Sequence, residues 1–171
     1  MKKLLLTIMV VLAGALTANA QKFALVDMEY ILKNVPAYER ANEQLNQVSK
    51  KWEGEIQALL NEVETLYKKY QSESVFLSDA QKTKAEEAIV AKEKEASELK
   101  KKYFGAEGEL FKKRQSLMSP IQDEIYNAVK DICDKKGFQL VLDRASGGSI
   151  IFASPKIDIS DEVLQRLGYS N

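Results

Sequence analysis

Residues 75–84, VFLSDAQKTK, stand between two long stretches that both read as helix. Three apolar residues run into Ser78-Asp79, and then the helical pattern resumes. Upstream, an apolar seam passes through Tyr38, Ala41, Leu45, Val48, Trp52, Ile56, Leu59, Val63, Leu66 and Tyr70 in steps of three and four. That is a coiled-coil period with one stutter at Val48–Trp52–Ile56. Downstream, a weaker seam runs through Ala85, Ile89, Lys92, Ala96, Leu99 and Tyr103. It continues through Ala106 or Glu107 to Leu110, Arg114 and Leu117. Folding the chain back on itself sets Tyr70 against Ala85, Leu66 against Ile89, Leu59 against Ala96 and Ile56 against Leu99. It also sets Trp52 against Tyr103, Leu45 against Leu110 and Tyr38 against Leu117. The residue numbers of each pair sum to 155, so the mirror point falls between Leu77 and Ser78. The opening stretch is therefore the tip of an antiparallel helical hairpin. Ser78 suits its second helix as N-cap, with Gln81 completing a capping box. Pro36 mirrors Ser119, so Pro36 and Pro120 mark one level, the base of the hairpin. Each helix has about forty residues, or about 60 Å at 1.5 Å per residue.

The flanking segments read as a small α/β body. KFALVD, 22–27, is short, apolar and bounded, as a strand is. Asp27 is placed to cap a brief helix over MEYILK. Pro36 pushes Val35 to extended geometry and suits the first turn of the next helix. After Pro120, where a kink is expected, IQDEIYNAVKDICDKK carries Ile121, Ile125, Ala128, Val129 and Ile132 on one stripe and closes at Gly137. FQLVLD (138–143) and SIIFAS (149–154) read as two strands joined by a turn through Gly147-Gly148. Ser160 is a candidate cap for a last helix over DEVLQRL, closed by Gly168. The expected organisation is one domain over 21–171. Its arm is 37–119, with the tip near 75–80, and its β-containing body is 21–36 and 120–171. The class is mainly α with a small β part. Three short strands leave open edges and little core, which favours a sheet shared between chains of an oligomer.

MKKLLLTIMVVLAGALTANA, residues 1–20, has a charged start, a short apolar run and Ala18-Asn19-Ala20, the pattern of a cleavable export signal cut near Ala20/Gln21. The run is shorter than the about twenty residues a membrane span needs. Without Lys2 and Lys3 the 25 basic residues fall two short of the 25 acidic ones, a formal net charge of −2. Nucleic-acid binding asks for a basic excess, which is missing. The chain has no His and a single cysteine, Cys133. That removes the commonest base and metal ligand, the usual triads and any intrachain disulfide. No phosphate loop, dinucleotide fingerprint or metal-ligand spacing is present. Asp and Glu alternate with Lys along the helices, as on a solvated helix face. No catalytic residue, cofactor or metal is expected.

Several apolar residues lie off the seam. Leu60 and Tyr67 are seven apart on the first helix, and Phe104 and Phe111 are seven apart on the second. Val75, Phe76 and Leu77 sit at the tip. Two readings stand: a surface that touches unfolded chains, or a wider hairpin core. Gly54, Gly105 and Gly108 lie near one level, beside the stutter. Each costs about 1 kcal/mol against Ala in a helix interior. They read either as a hinge or as neutral glycines. Lys100-Lys101-Lys102 and Lys112-Lys113-Arg114 are local basic clusters that also fit solvated helix faces.

KFALVDMEYIL, together with AVKDICDKKGFQLVLD and DISDEVLQRL in that order, resembles the opening and closing segments of the Skp (OmpH-like) periplasmic chaperones. The resemblance covers essentially the whole of 21–171 and is specific at its two ends. It implies a homotrimer with a shared β body and three helical arms around a cavity. It also implies an ATP-independent holdase that binds unfolded outer-membrane proteins in the periplasm, with no stable membrane insertion. Peripheral membrane contact stays open. The departure is charge: the best-known members are basic and this chain is near neutral, which leaves electrostatic capture and a lipopolysaccharide site unsupported. A structural coiled-coil scaffold of an envelope complex is the other function class that fits.

Overall fold

The computed structural model describes residues 22–146 and 150–169. The chain forms two compact units, one from its ends (up to Asn34 and from Ile125) and one from Val35–Glu124.

In the terminal unit, strand β1, Lys22–Val26, pairs in parallel with strand β2, Phe138–Asp143. Ala24, Leu25 and Val26 are buried. Asp27 ends the strand because its carboxylate accepts the Tyr30 backbone N–H at 2.8 Å, capping helix α1, Met28–Lys33. Helix α1 delivers Ile31, which is fully buried. Helix α4, Glu109–Lys136, adds Ile125, Ala128 and Ile132 to this core. It closes at Gly137, whose φ of +71° is the left-handed geometry a side chain would resist. A 3₁₀ turn at Pro155–Ile157 leads to Asp158, which pairs with Leu25 across the other edge of β1. Helix α5, Ser160–Arg166, then buries Val163 and Leu164.

Polar groups bind the ends of these elements together. The Arg144 guanidinium reaches Asp27 at 3.1 Å and Asp158 at 3.2 Å. The Asp27 backbone N–H donates to Ser160 Oγ at 2.8 Å, and that hydroxyl donates to Asp158 Oδ1 at 2.6 Å. Ser160 is therefore buried at no hydrogen-bonding cost. It is the first residue of α5 and does not cap it. Ile159 holds the cap position, and Asp158 Oδ1 accepts the Ser160 N–H. The expected hairpin of strands is also absent: residues 150–154 are irregular, and Ile151 is fully exposed. A β-prone segment becomes a strand only with a partner edge, and here Asp158 takes the second edge of β1. The turn expected at Gly147-Gly148 and the export signal lie outside the described residues.

The second unit contains the hairpin. Helix α2, Pro36–Glu73, runs 38 residues, with Pro36 in its first turn and Val35 extended before it. A 3₁₀ turn, Ser74–Phe76, leads to Ser78, which caps helix α3, Asp79–Phe104. The capping box is present: Gln81 N–H donates to Ser78 Oγ at 3.4 Å, and Ser78 N–H to Gln81 Oε1 at 2.9 Å. The mirror register holds between Trp52 and the tip. The Trp52 and Tyr103 rings stack with centroids 4.6 Å apart and planes 9° from parallel. Small Ala96 and Ile89 are buried in the seam. Lys92 occupies its seam position by pairing with Glu62 and Glu95, each at 3.0 Å.

The second helix is not continuous. It is interrupted at Gly105–Gly108, while Pro120 lies inside α4 without ending it. The seam carries the reason. Its phase is already ambiguous at Ala106 or Glu107, and the expected seam residue Arg114 is exposed. Beyond the break, Leu110 and Leu117 are half-buried.

The carboxylate network of Asp27 and Asp158 gives the terminal unit an acid sensitivity. The Tyr30 N–H and the Arg144 guanidinium hold the Asp27 carboxyl below its ordinary range, against the upward push of burial. A depressed carboxylate contributes stability that is full above its unfolded-state pKa and is lost as pH falls through the folded one. Urea midpoints of the wild-type chain should therefore drop below about pH 4. Asp27→Asn should lower the midpoint at pH 7 and flatten that acid slope. An unchanged slope would assign the acid response to other carboxylates.

Candidate functional site

The two flanks of the hairpin differ in chemistry. In an antiparallel pair, the residues just after a seam position on either helix fall on one flank, and those just before it fall on the other. The preceding positions are Lys51, Glu55, Ala58, Glu62, Thr65 and Lys69 on α2, and Lys84, Ala88, Ala91, Glu95, Glu98 and Lys102 on α3. None is a large apolar residue. This flank carries polar bonds beside an open groove of about 580 Å³ lined by Ala58, Asn61, Glu62, Thr65, Leu66 and Lys92. Lys92 bridges Glu62 and Glu95, which hold its ammonium pKa above the ordinary value. The Tyr103 hydroxyl donates to Glu55 at 2.6 Å, and that bond raises the phenol.

The following positions include Leu60, Tyr67, Val90 and Phe104. Leu60 is 45 % exposed, Tyr67 52 % and Val90 60 %, so these side chains do not widen the hairpin core. Leu60 and Phe104 line one open groove of about 340 Å³ with Ile56, Glu53, Gln57 and Lys100. Phe104 also packs edge-on to Trp52, with centroids 6.4 Å apart, and is half-buried. Val75 and Phe76 at the tip are 79 % and 85 % exposed, whereas Leu77 is half-buried. Phe111 is exposed on α4, beyond the break. The structure thus joins Leu60 with Phe104 and leaves Phe111 apart from that groove. Val90 was missed in the sequence because its partner residues at seven-residue spacing, Thr83 and Ser97, are polar. The signal that finds it is position: it follows the seam residue Ile89 as Leu60 follows Leu59 and Tyr67 follows Leu66.

The three glycines are not equivalent. Gly54 lies inside the unbroken α2, and a Cβ there would meet nothing within 4 Å. Gly105 turns the chain out of α3, and a Cβ there would come within 2.4 Å of the Lys101 carbonyl oxygen. A Cβ at Gly108 would fall 2.7 Å from the Tyr103 oxygen and 2.9 Å from the Gly105 nitrogen. Lys101, Lys102 and Lys112 gather at the break with Glu98, Glu107 and Glu109, so cations and anions are matched there. Cys133 is partly buried, and desolvation pushes its thiol up, away from reactivity. Among the described residues, no group of three His, Cys, Asp or Glu side chains is placed to hold a metal. No helix among them is long and apolar enough to cross a membrane.

The comparisons with known proteins agree with this architecture. The profile of the family described as Outer membrane protein (OmpH-like) matches residues 22–167. Chaperone protein Skp of Yersinia enterocolitica is 28 % identical over 158 residues, which covers 91 % of this chain and 92 % of that protein. Chaperone protein Skp of Photorhabdus luminescens is 28 % identical over 155 residues, covering 84 % and 87 %. In fold, the chain superposes with a TM-score of 0.70 on a Caulobacter crescentus chain assigned as an OmpH-like outer membrane chaperone. That match has 13 % identity and covers 86 % of this chain and 83 % of the other.

Opposite outcomes are expected at two glycines. Gly54→Ala should raise stability by up to about 1 kcal/mol, since it removes a helix-interior glycine in open space. Gly108→Ala should lower stability, because the new methyl meets backbone atoms on two sides. Urea denaturation followed by circular dichroism reads both. A stabilising Gly108→Ala would mean that the break at 105–108 does not depend on glycine.

Proposed function

Since the chain belongs to the OmpH-like outer membrane protein family, we propose that it is an ATP-independent holdase chaperone of the periplasm. It binds unfolded outer-membrane proteins between helical arms and keeps them from aggregating in transit. The observation that carries this reading is the row of exposed large apolar side chains on the hairpin: Leu60, Tyr67, Phe111 and, at the tip, Val75 and Phe76. Leu77 and the half-buried Phe104 border it. Single apolar residues on a surface are ordinary, but here five large ones share one helical hairpin. A holdase needs them, as weak, plural and adaptable contacts that require no catalysis and no energy source.

Export follows from the signal pattern of residues 1–20. The assembly is a homotrimer that shares its β parts. Phe23 pairs in register with Leu140 and Leu25 with Leu142, so these four side chains lie on one face of the sheet. Phe23, Leu140 and Leu142 are exposed there, and Ile151 and Phe152 are more so. Copies of the same chain are the partners that cover such a face. Gly54 and the Gly105–Gly108 break form the flexible level that lets the arms fit clients of different size. Amide exchange there no faster than across Ile89–Leu99 would remove the flexible level from the reading.

The test is dilution of a barrel protein from urea into buffer holding residues 21–171 of this chain and no nucleotide. Light scattering at 350 nm should stay near the client-free value once chain is in threefold excess. Aggregation at the rate seen without the chain would overturn the holdase reading and favour the envelope scaffold.

A further inference from the structure

Resting on the holdase reading, we infer that one flank of the hairpin, the one carrying Leu60, Val90, Tyr67 and Phe104, is the client track. Its occupant is an extended, uncharged polypeptide segment with apolar side chains on alternate residues. Three observations carry it. The first is one-sidedness: every large apolar residue adjoining the seam between Trp52 and Phe104 follows a seam position, and none precedes one. The opposite flank carries the Glu62–Lys92–Glu95 and Glu55–Tyr103 bonds and a groove of about 580 Å³ that no large apolar side chain off the seam lines, whereas the track flank carries one such bond, Tyr70–Glu86 near the tip.

The second is spacing. In the mirror register, Phe104 lies level with Lys51 and Val90 with Thr65. Along the axis, Phe104 to Leu60 is then about 13 Å and Leu60 to Val90 about 8 Å, while Val90 and Tyr67, about 3 Å apart, form one station from the two helices. Same-side residues of a strand recur every about 6.7 Å, so these gaps are about two strand repeats and about one. A second helix would ask for apolar contacts at every third or fourth residue, and a bilayer for a contiguous patch. Neither matches separated stations.

The third is the filling between stations. Glu53, Gln57, Glu64, Glu86, Glu93, Ser97 and Lys100 hold the intervening positions on this flank, polar and of both signs. They tolerate uncharged polar alternate residues on the occupant, and with four carboxylates to one ammonium they disfavour acidic ones. A strand that alternates apolar and polar residues, as membrane-barrel strands do, meets this flank along its length.

The test compares two triple variants of residues 21–171. Leu60→Ser/Tyr67→Ser/Val90→Ser strips the track at exposed positions. Ala58→Ser/Thr65→Ser/Ala91→Ser changes the other flank. Binding is read by fluorescence anisotropy with a labelled, uncharged peptide of alternating apolar and polar residues, and by retention of an unfolded barrel protein. The track variant should bind the peptide about tenfold or more weakly, with melting temperature and oligomer mass unchanged. The other variant should bind as the wild type does. A peptide of the same composition, rearranged to a helical period, should bind more weakly to the wild type. If the wild type retains the barrel protein and the track variant binds as tightly, the track is overturned and the holdase reading stands. Equal losses from the two flanks also overturn it. A wild type that retains no unfolded client overturns both.

Discussion

Much of the hairpin depends on one constraint, the register in which α2 and α3 run back along each other. The Trp52–Tyr103 stack pins it midway, and the Ser78–Gln81 capping box starts the return helix at the tip. Moving the register by one residue would turn Lys92 away from Glu62 and put Ile89 and Ala96 out of the seam. The close approach of the helices also follows from residue size. Ala85, Ala96 and Ile89 leave room in the distal part, whereas the Trp52, Tyr103 and Phe104 rings fill the space where α3 ends.

Given that register, the two flanks inherit unequal chemistry from the seam neighbours. Glu55, Glu62 and Glu95 precede the seam and find Tyr103 and Lys92. Leu60, Tyr67 and Val90 follow it and stay exposed, and Phe104 packs against Trp52. The chain is almost neutral, and Lys101, Lys102 and Lys112 stand among Glu98, Glu107 and Glu109 at the Gly105–Gly108 break, so the proposed hold on a client rests on the apolar stations.

The hairpin was legible in the sequence because its signals are local or symmetric. Spacing gave the seam, mirror symmetry gave the tip, and Ser78, Pro36, Gly137 and Gly168 marked the ends by capping chemistry. The break at Gly105–Gly108 was legible as two glycines beside an ambiguous seam position, but not as a helix end, since a glycine inside a helix pattern can also be carried through, as Gly54 is. The strand expected at 149–154 failed for a different reason. Strand formation needs an edge elsewhere in the chain or in another copy, and no local pattern shows that Asp158 occupies the second edge of β1. Ser160 was misplaced because the group that claims its hydroxyl, the Asp27 N–H, is 133 residues away. Among the residues proposed for client contact, seven-residue spacing singled out Leu60, Tyr67, Phe104 and Phe111. It missed Val90, which only the flank geometry brings into line.

The terminal unit shows the same logic from the other side. Ser160, Asp158 and Arg144 satisfy each other and fix one end of the sheet, while Phe23, Leu140, Leu142, Ile151 and Phe152 remain exposed beside it. A small sheet with apolar residues on its open face fits an assembly of several copies, each contributing one hairpin. The most direct measurement is the mass, by light scattering after size exclusion, of residues 21–171 mixed with a barrel protein diluted from urea. The account predicts one soluble species containing three copies of the chain and one client. A client lost to aggregates beside a chain of unchanged mass would contradict it.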